Sequence, residues 1–250
     1  MSKKDDLKFE TIEIKAKTQP AKKLIVMLHG FGENAASLKN TADRIHKEIP
    51  EADILMVEGF YQVNLDDRTR KKYKISDKDI LRSWIKGPIN NAPMAGLRAI
   101  FNRSKEVRFF NKMLDVELKK RGLSSKDLGF FGFSMGGGLS LYISQARAEK
   151  CAFVVSHSGA YYGLQKPKSR PETLLIFGGR DKIIPLKAKA SKRSLSKTFD
   201  RFRLSHETTK AVLKRNNVPT TEAIFPRLAH ERSTETIKCA SKFMRKKFGL

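Results

Sequence analysis

Ser134 stands between Gly132 and Gly136 in the run Leu128-Gly129-Phe130-Phe131-Gly132-Phe133-Ser134-Met135-Gly136-Gly137-Gly138. An apolar run that stops at a serine, with glycine two places to either side, has the layout of a nucleophile elbow. In that strand-turn-helix the serine is held in a strained backbone conformation. The glycines have a steric role, because a Cβ at either position would strike the neighbouring strand or helix. The serine Oγ would then stand clear of the sheet edge. The N–H of Met135, at the start of a helix, would point at any oxyanion formed beside it. A glycine-rich turn with a bystander serine gives the same letters, so the reading depends on partners elsewhere in the chain.

A serine nucleophile needs a base within hydrogen-bond reach and a carboxylate to orient that base. Five histidines are available. His46 falls inside a helical pattern and His206 in a basic helical stretch. His29 and His157 directly follow strand-like runs and read as structural parts of tight turns. His230 follows the last strand-like run on a loop that could reach over a sheet edge, and it is the expected base. Asp181, in the turn Gly178-Gly179-Arg180-Asp181, is the expected acid, although an aspartate there could equally cap a helix or an Asx-turn. The chain order Ser134, Asp181, His230 is the order of the α/β-hydrolases. The first oxyanion donor is expected to be the Met135 N–H. The second is expected from the turn His29-Gly30-Phe31-Gly32, with the Phe31 N–H as first choice and Gly32 as the alternative.

The elements that must hold these residues alternate between strand and helix signals. Residues 9–16 alternate apolar and polar, as in a half-exposed edge strand. Residues 23–28 and 53–57 are continuous apolar runs that suit strands buried on both faces. Leu38, Ala42, Ile45 and Ile49 share one face of a predicted helix over 36–49. Residues 58–91 lack a clear period, and this stretch holds the basic cluster Arg68 to Lys72 and the single tryptophan, Trp84. Such a connection could wall a substrate cleft or be a plain surface loop. Residues 104–121 read as a helix with Val107, Phe110, Met113, Leu114 and Leu118 inward, stopped by Gly122. The strand ending in the elbow follows, then a helix-compatible run over 138–148. Further strands are expected over 152–155, 173–177 and 222–226, a basic helical stretch over 187–215, and a last helix over 232–248. In that helix Ile237, Ala240, Met244 and Phe248 point inward, with Phe243 on the flank. This alternation predicts an α/β fold with a mostly parallel sheet covered by helices on both faces, in one domain over 1–250. Residues 1–8 are expected to be a disordered tail. In such a sheet chemistry gathers at the C-terminal strand ends. His29 to Gly32, the elbow, Ser156 to Gly159, Gly178 to Asp181 and the turn before His230 all fall there.

Taken as a set, His29-Gly30-Phe31-Gly32-Glu33, Gly132 to Gly137, Ser158-Gly159, Gly178 to Asp181 with Pro185, and His230-Glu231 resemble the carboxylesterase/phospholipase family of α/β-hydrolases. That family includes bacterial carboxylesterases and acyl-protein thioesterases. The resemblance spans roughly residues 22–247. It implies a serine hydrolase of esters or thioesters, with Ser134, Asp181 and His230 as the catalytic triad, Phe31 and Met135 as oxyanion donors, and no metal or cofactor. Three departures stand out. Met135 replaces the glutamine common after the nucleophile, and Arg82-Ser83-Trp84-Ile85 matches the family's R-x-W-F-D segment only in part. The stretch after Pro185 is long, and over 187–215 carries ten basic residues against Asp200 and Glu207.

The composition sets broader limits. Lys plus Arg is 51 and Asp plus Glu is 26, a formal net charge of +25. Such a surface attracts polyanions. The basic residues are spread along the whole chain, which suits a compositional bias better than a dedicated nucleic-acid site; contact with an anionic membrane surface is the partner expectation that survives. The alternative to an esterase is a hydrolase-fold protein of weak activity whose basic surface binds anionic lipid or nucleic acid. No window approaches the ~18 apolar residues of a membrane span. The charged start, Met1 to Lys8, has no apolar core of a secretory signal. Cys151 and Cys239 lack metal spacing and read as free thiols, which suits a reducing, cytoplasmic compartment.

Overall fold

The computed structural model describes residues 7–73, 76, 80–85, 104–163, 166–187 and 205–250. The expected tail therefore lies largely outside the described residues, as do residues 188–204 of the basic stretch. The centre is a seven-stranded sheet. Its strands are β1 (Thr11–Ile14), β2 (Lys23–Leu28), β3 (Ala52–Val57), β6 (Leu128–Phe133), β7 (Phe153–His157), β8 (Glu172–Gly178) and β9 (Thr220–Phe225). They lie in the order β1-β3-β2-β6-β7-β8-β9. Six strands run parallel; β1 alone is antiparallel, pairing with β3 from Thr11↔Val57 to Ile14↔Ile54. The alternating pattern of residues 9–16 is thus an edge strand, as its period implies. A separate pair, β4 (Tyr61–Gln62) with β5 (Arg82–Ser83), forms a small two-stranded sheet.

Side chains of each buried strand alternate between two cores, as the pleat requires. Leu24, Val26 and Leu28 of β2 face one side. They share a core with Phe110, Leu114 and Leu118 of α3 (Ser104–Arg121), with Leu139 and Ile143 of α4 (Met135–Ala146), and with Val212 and Leu213 of α5 (His206–Arg215). Ile25 and Met27 face the other side. They share a core with Ala42 and Ile45 of α1 (Lys39–Glu48) and with Ile237, Ala240 and Met244 of α6 (Thr234–Phe248). The predicted inward faces are those observed, except that Met113 is half-buried. Gly122 ends α3 at φ +65, a conformation that glycine adopts without a Cβ penalty.

Two local expectations change. The helix after the elbow begins at Met135, three residues earlier than its apolar pattern, because the turn at Ser134 feeds directly into it. The stretch read as a cleft wall or a plain loop holds β4 and β5 and packs Trp84 into the core, and its residues 86–91 lie outside the described residues. Trp84 is fully buried, its indole N–H donates to the His29 carbonyl at 2.8 Å, and its ring meets His29, Phe60 and Phe110. It is a core residue beneath the turn that follows β2. The basic cluster nearby sits on the short helix α2 (Asp67–Tyr73), where Arg68 and Lys71 are exposed to solvent.

The sheet order positions the site. The chain runs from β2 outward to β3, then returns to the opposite side of β2 to place β6. The carboxyl ends of β2 and β6 therefore flank a topological switch point, where parallel sheets leave a crevice. The turn at His29 to Glu33 and the elbow at Ser134 are the two lips of that crevice.

Candidate active site

Ser134 has φ 52 and ψ −117, a region that costs a non-glycine residue roughly 1–3 kcal/mol. The surroundings hold it there. Its N–H donates to the His157 carbonyl at 2.8 Å and its carbonyl accepts from the Gly138 N–H at 3.1 Å. The flanking glycines are required by close approach. A Cβ on Gly132 would lie 2.2 Å from the Gly136 carbonyl oxygen, and one on Gly136 would lie 2.2 Å from that of Leu28. Real Cβ atoms do not approach backbone so closely, so these two positions must lack one.

His230 and Asp181 reach Ser134 through two loops that are bonded to each other. The Gly179 N–H donates to the Phe225 carbonyl and the Arg180 N–H to the Leu228 carbonyl, at 2.8 and 2.9 Å. These bonds bring the turn after β8 against the loop after β9. His230 Nδ1 lies 2.7 Å from Asp181 Oδ2, and His230 Nε2 lies 2.9 Å from Ser134 Oγ. A carboxylate only accepts, so Nδ1 carries the proton, and in the neutral ring Nε2 is left to accept from the serine hydroxyl. The other oxygen of Asp181 accepts the N–H groups of Ile183 and Ile184, each at 2.8 Å. Burial pushes the Asp181 carboxyl up, but the bonds from His230 and the two amides outweigh it and hold the group below its ordinary value. The acid thus stays charged behind the imidazole. The three residues singled out from the sequence are brought into one hydrogen-bonded line.

The remaining histidines have other places in the fold. The buried His29 donates from Nδ1 to the Gly30 carbonyl at 2.7 Å and accepts the Gly59 N–H at Nε2 at 3.0 Å. Both nitrogens are used, which fits its reading as a turn residue. His157 is buried under the elbow with its ring edge on Phe133. Burial, with Arg232 and His230 nearby, pushes its pKa down to about 3, so it stays neutral. His46 lies in α1. His206 opens α5 and bonds Glu222 at 2.8 Å, away from Ser134.

The turn after β2 engages one of the two amides expected as oxyanion donors. The Gly32 N–H donates to the Arg82 carbonyl at 3.0 Å, and the Glu33 carbonyl accepts the Arg82 N–H at 3.0 Å. The Gly32 N–H is therefore engaged, and Phe31 lies on the exposed crest of the turn. The Met135 N–H belongs to the first turn of α4, whose amides have no partner inside the helix. Its side chain turns inward: the Met135 sulfur receives the Ser83 hydroxyl at 3.9 Å and packs on the core around Trp84. The sequence reading also missed Arg232. Its guanidinium makes two bonds of 2.8 Å to the two oxygens of Glu33, and it lies 4.5 Å from the centre of the Phe133 ring.

A parallel sheet with a strained serine after a central strand, helices on both faces and the switch point beside it makes this an α/β-hydrolase. The sequence model of the Phospholipase/Carboxylesterase family matches residues 98–248. The chain belongs to that family and is a carboxylesterase-type hydrolase. Esterase YpfH of Escherichia coli strain K12 is 23% identical over 184 residues, covering 72% of this chain and 71% of that protein. Among solved structures, esterase PE8 superposes with a TM-score of 0.74 at 18% identity, covering 96% of this chain and 99% of its own. The Bacillus cereus carboxylesterase gives 0.62 at 16% identity, covering 96% and 94%. At such identities these structures speak for the fold. The family match includes Ser134, Asp181 and His230 but begins after the turn at His29 to Glu33.

Proposed function

We propose that this protein is a serine hydrolase that cleaves carboxylic esters or thioesters through an acyl-enzyme on Ser134. The observation that carries the reading is the line Asp181–His230–Ser134 on a strained elbow. The Ser134 oxygen attacks the substrate carbonyl carbon while His230 Nε2 takes its proton. The carbonyl oxygen, now negative, is held by the N–H groups of Phe31 and Met135. His230 returns the proton to the leaving alcohol or thiol as the carbon–oxygen or carbon–sulfur bond breaks. Water then attacks the acyl-enzyme, with His230 again as base, and the acid is released. Asp181 holds the imidazole in the tautomer that leaves Nε2 open and stabilises the imidazolium that forms. Each step uses groups that this chain carries.

Family membership supports small ester substrates. The two free cysteines support a reducing, cytoplasmic setting. A chain-length series of p-nitrophenyl esters, from acetate upward, tests the reading in wild type and Ser134→Ala. Loss of a catalytic serine costs on the order of 10⁶ in kcat in other serine hydrolases. Unchanged turnover in Ser134→Ala would reject the assignment, as would failure of a fluorophosphonate probe to label wild type.

A further inference from the structure

We propose that Arg232 and Glu33 form a positioning pair that locks the oxyanion turn to the base-bearing loop; this inference rests on the acyl-transfer reading above. The two residues are 199 positions apart and meet in a two-pronged ion pair, each N–O distance 2.8 Å. Such planar matching fixes orientation as well as distance. Each partner is tied to the reacting groups from its own side. The Glu33 carboxylate also accepts the Gly30 N–H at 2.8 Å, so it fixes the turn that presents Phe31 from within. Gly30 lies directly over the elbow, where an added Cβ would meet Glu33 Oε2 and Phe133 at 3.2 Å and the Ser134 Cβ at 3.4 Å. On the other side Arg232 is two residues after His230. Its guanidinium lies over the Phe133 ring at 4.5 Å, and the same ring meets the His230 imidazole at a 41° tilt with centroids 5.1 Å apart. The ion pair therefore joins one edge of the oxyanion hole to the base, with Phe133, the residue before the nucleophile, between them.

The pair is only partly exposed, at 14% for the Arg232 side chain and 27% for that of Glu33. Water competes less for it than for a surface pair. Neither residue touches the reacting atoms; the pair sets the gap between the Phe31 N–H and the Ser134–His230 line. A displacement of about 1 Å in such a gap costs on the order of 10²-fold in rate. The effect should fall on kcat, because a misplaced oxyanion donor is felt in the transition state more than in substrate binding.

The test is a cycle of Arg232→Met, Glu33→Gln and the double variant, with Arg232→Lys, read by kcat and KM on p-nitrophenyl acetate and by thermal melting. Methionine keeps the apolar stem over Phe133 and removes the fork. We expect each single variant to lose about 10- to 100-fold in kcat with KM changed less than threefold. The double variant should be no worse than the poorer single, because both break the same link. Arg232→Lys should recover part of the loss. Wild-type kcat in Arg232→Met, or losses that multiply in the double variant, would overturn the pair. A loss matched by a fall in folded fraction in the melts, with full kcat per folded molecule, would overturn it as well. Ser134→Ala separates the two claims. An active Ser134→Ala defeats the acyl-enzyme reading, whereas an inactive one beside a fully active Arg232→Met defeats the pair alone.

Discussion

Asp181→Asn offers the sharpest view of the site, because its consequence follows from counting donors. The carboxylate accepts three N–H groups: Ile183 and Ile184 at one oxygen, and His230 at the other. An amide has one acceptor oxygen and one donating NH₂. If the oxygen stays with the two backbone amides, the NH₂ faces His230 Nδ1, and the imidazole must move its proton to Nε2 to accept there. Nε2 can then no longer accept from Ser134. If the amide flips, the NH₂ faces two backbone donors and both lose their partner, at about 1–3 kcal/mol each. The first arrangement keeps all three hydrogen bonds, so it should dominate by about 2–6 kcal/mol, the worth of two amide bonds. The enzyme then rests in the wrong tautomer. In other serine hydrolases that error lowers kcat by about 10⁴, or roughly 5.4 kcal/mol at 1.36 kcal/mol per tenfold. The assay is kcat on p-nitrophenyl acetate at pH 7 to 8, with thermal melting as a control. The melting temperature should shift by only a few degrees, since the three bonds of the carboxylate are kept. A variant within tenfold of wild-type kcat would refute the reasoning, as it would mean that the Asp181 charge does not set the tautomer.

Two further outcomes follow from geometry away from the proton line. Gly132→Ala and Gly136→Ala each put a Cβ 2.2 Å from a backbone carbonyl oxygen that cannot rotate away. Each should destabilise by about 1–3 kcal/mol or more and remove most ester hydrolysis, visible together in thermal melts and activity assays. Asp53→Asn should act on stability alone. Asp53 is buried at the start of β3, at the end of the sheet opposite Ser134, where it bonds the Arg121 guanidinium at 2.9 Å and the Ala16 N–H at 2.9 Å. Arg121 keeps Glu13 and Glu117 as partners, so losing the Asp53 charge should cost about 1.5–3 kcal/mol, or roughly 3–12 °C in melting temperature, with kcat per folded molecule unchanged. Burial pushes the Asp53 carboxyl up, but the Ala16 and Arg121 bonds outweigh it and hold it below its ordinary value. The charged form therefore stabilises the fold fully above about pH 4, and this contribution fades as pH falls through the lower folded value. The gap between wild type and variant should be widest near neutral pH and close in acid. A gap that widens on acidification would contradict the assignment.

What could be read along the chain was whatever a short window encodes. The apolar run Leu128–Phe133 buries both faces of a strand, and the period of Val107, Phe110, Leu114 and Leu118 buries one face of a helix; both elements lie where those patterns put them. Ser134 could be picked out because the elbow needs two glycines at fixed local spacing. Asp181 and His230 could be picked out because this fold constrains their order and the strand ends that carry them. The burial of Trp84 could not be read because its stretch has no period of its own; it packs against His29 in the turn after β2, Phe60 and Phe110 of α3.

That the Gly32 amide is engaged was likewise closed to sequence alone. It depends on the Arg82 carbonyl, fifty positions downstream, taking the Gly32 N–H. Arg232 gave no signal, since an arginine after a strand is ordinary until Glu33 faces it across the crevice. The sequence by itself determined the alternation of strand and helix, the two apolar faces of the sheet, and which serine, acid and base could act together. These are local burial patterns and chain order. Only the tertiary structure decided what takes the Gly32 amide, which charges meet and what surrounds Trp84, because those contacts join residues whose separation no window of sequence spans.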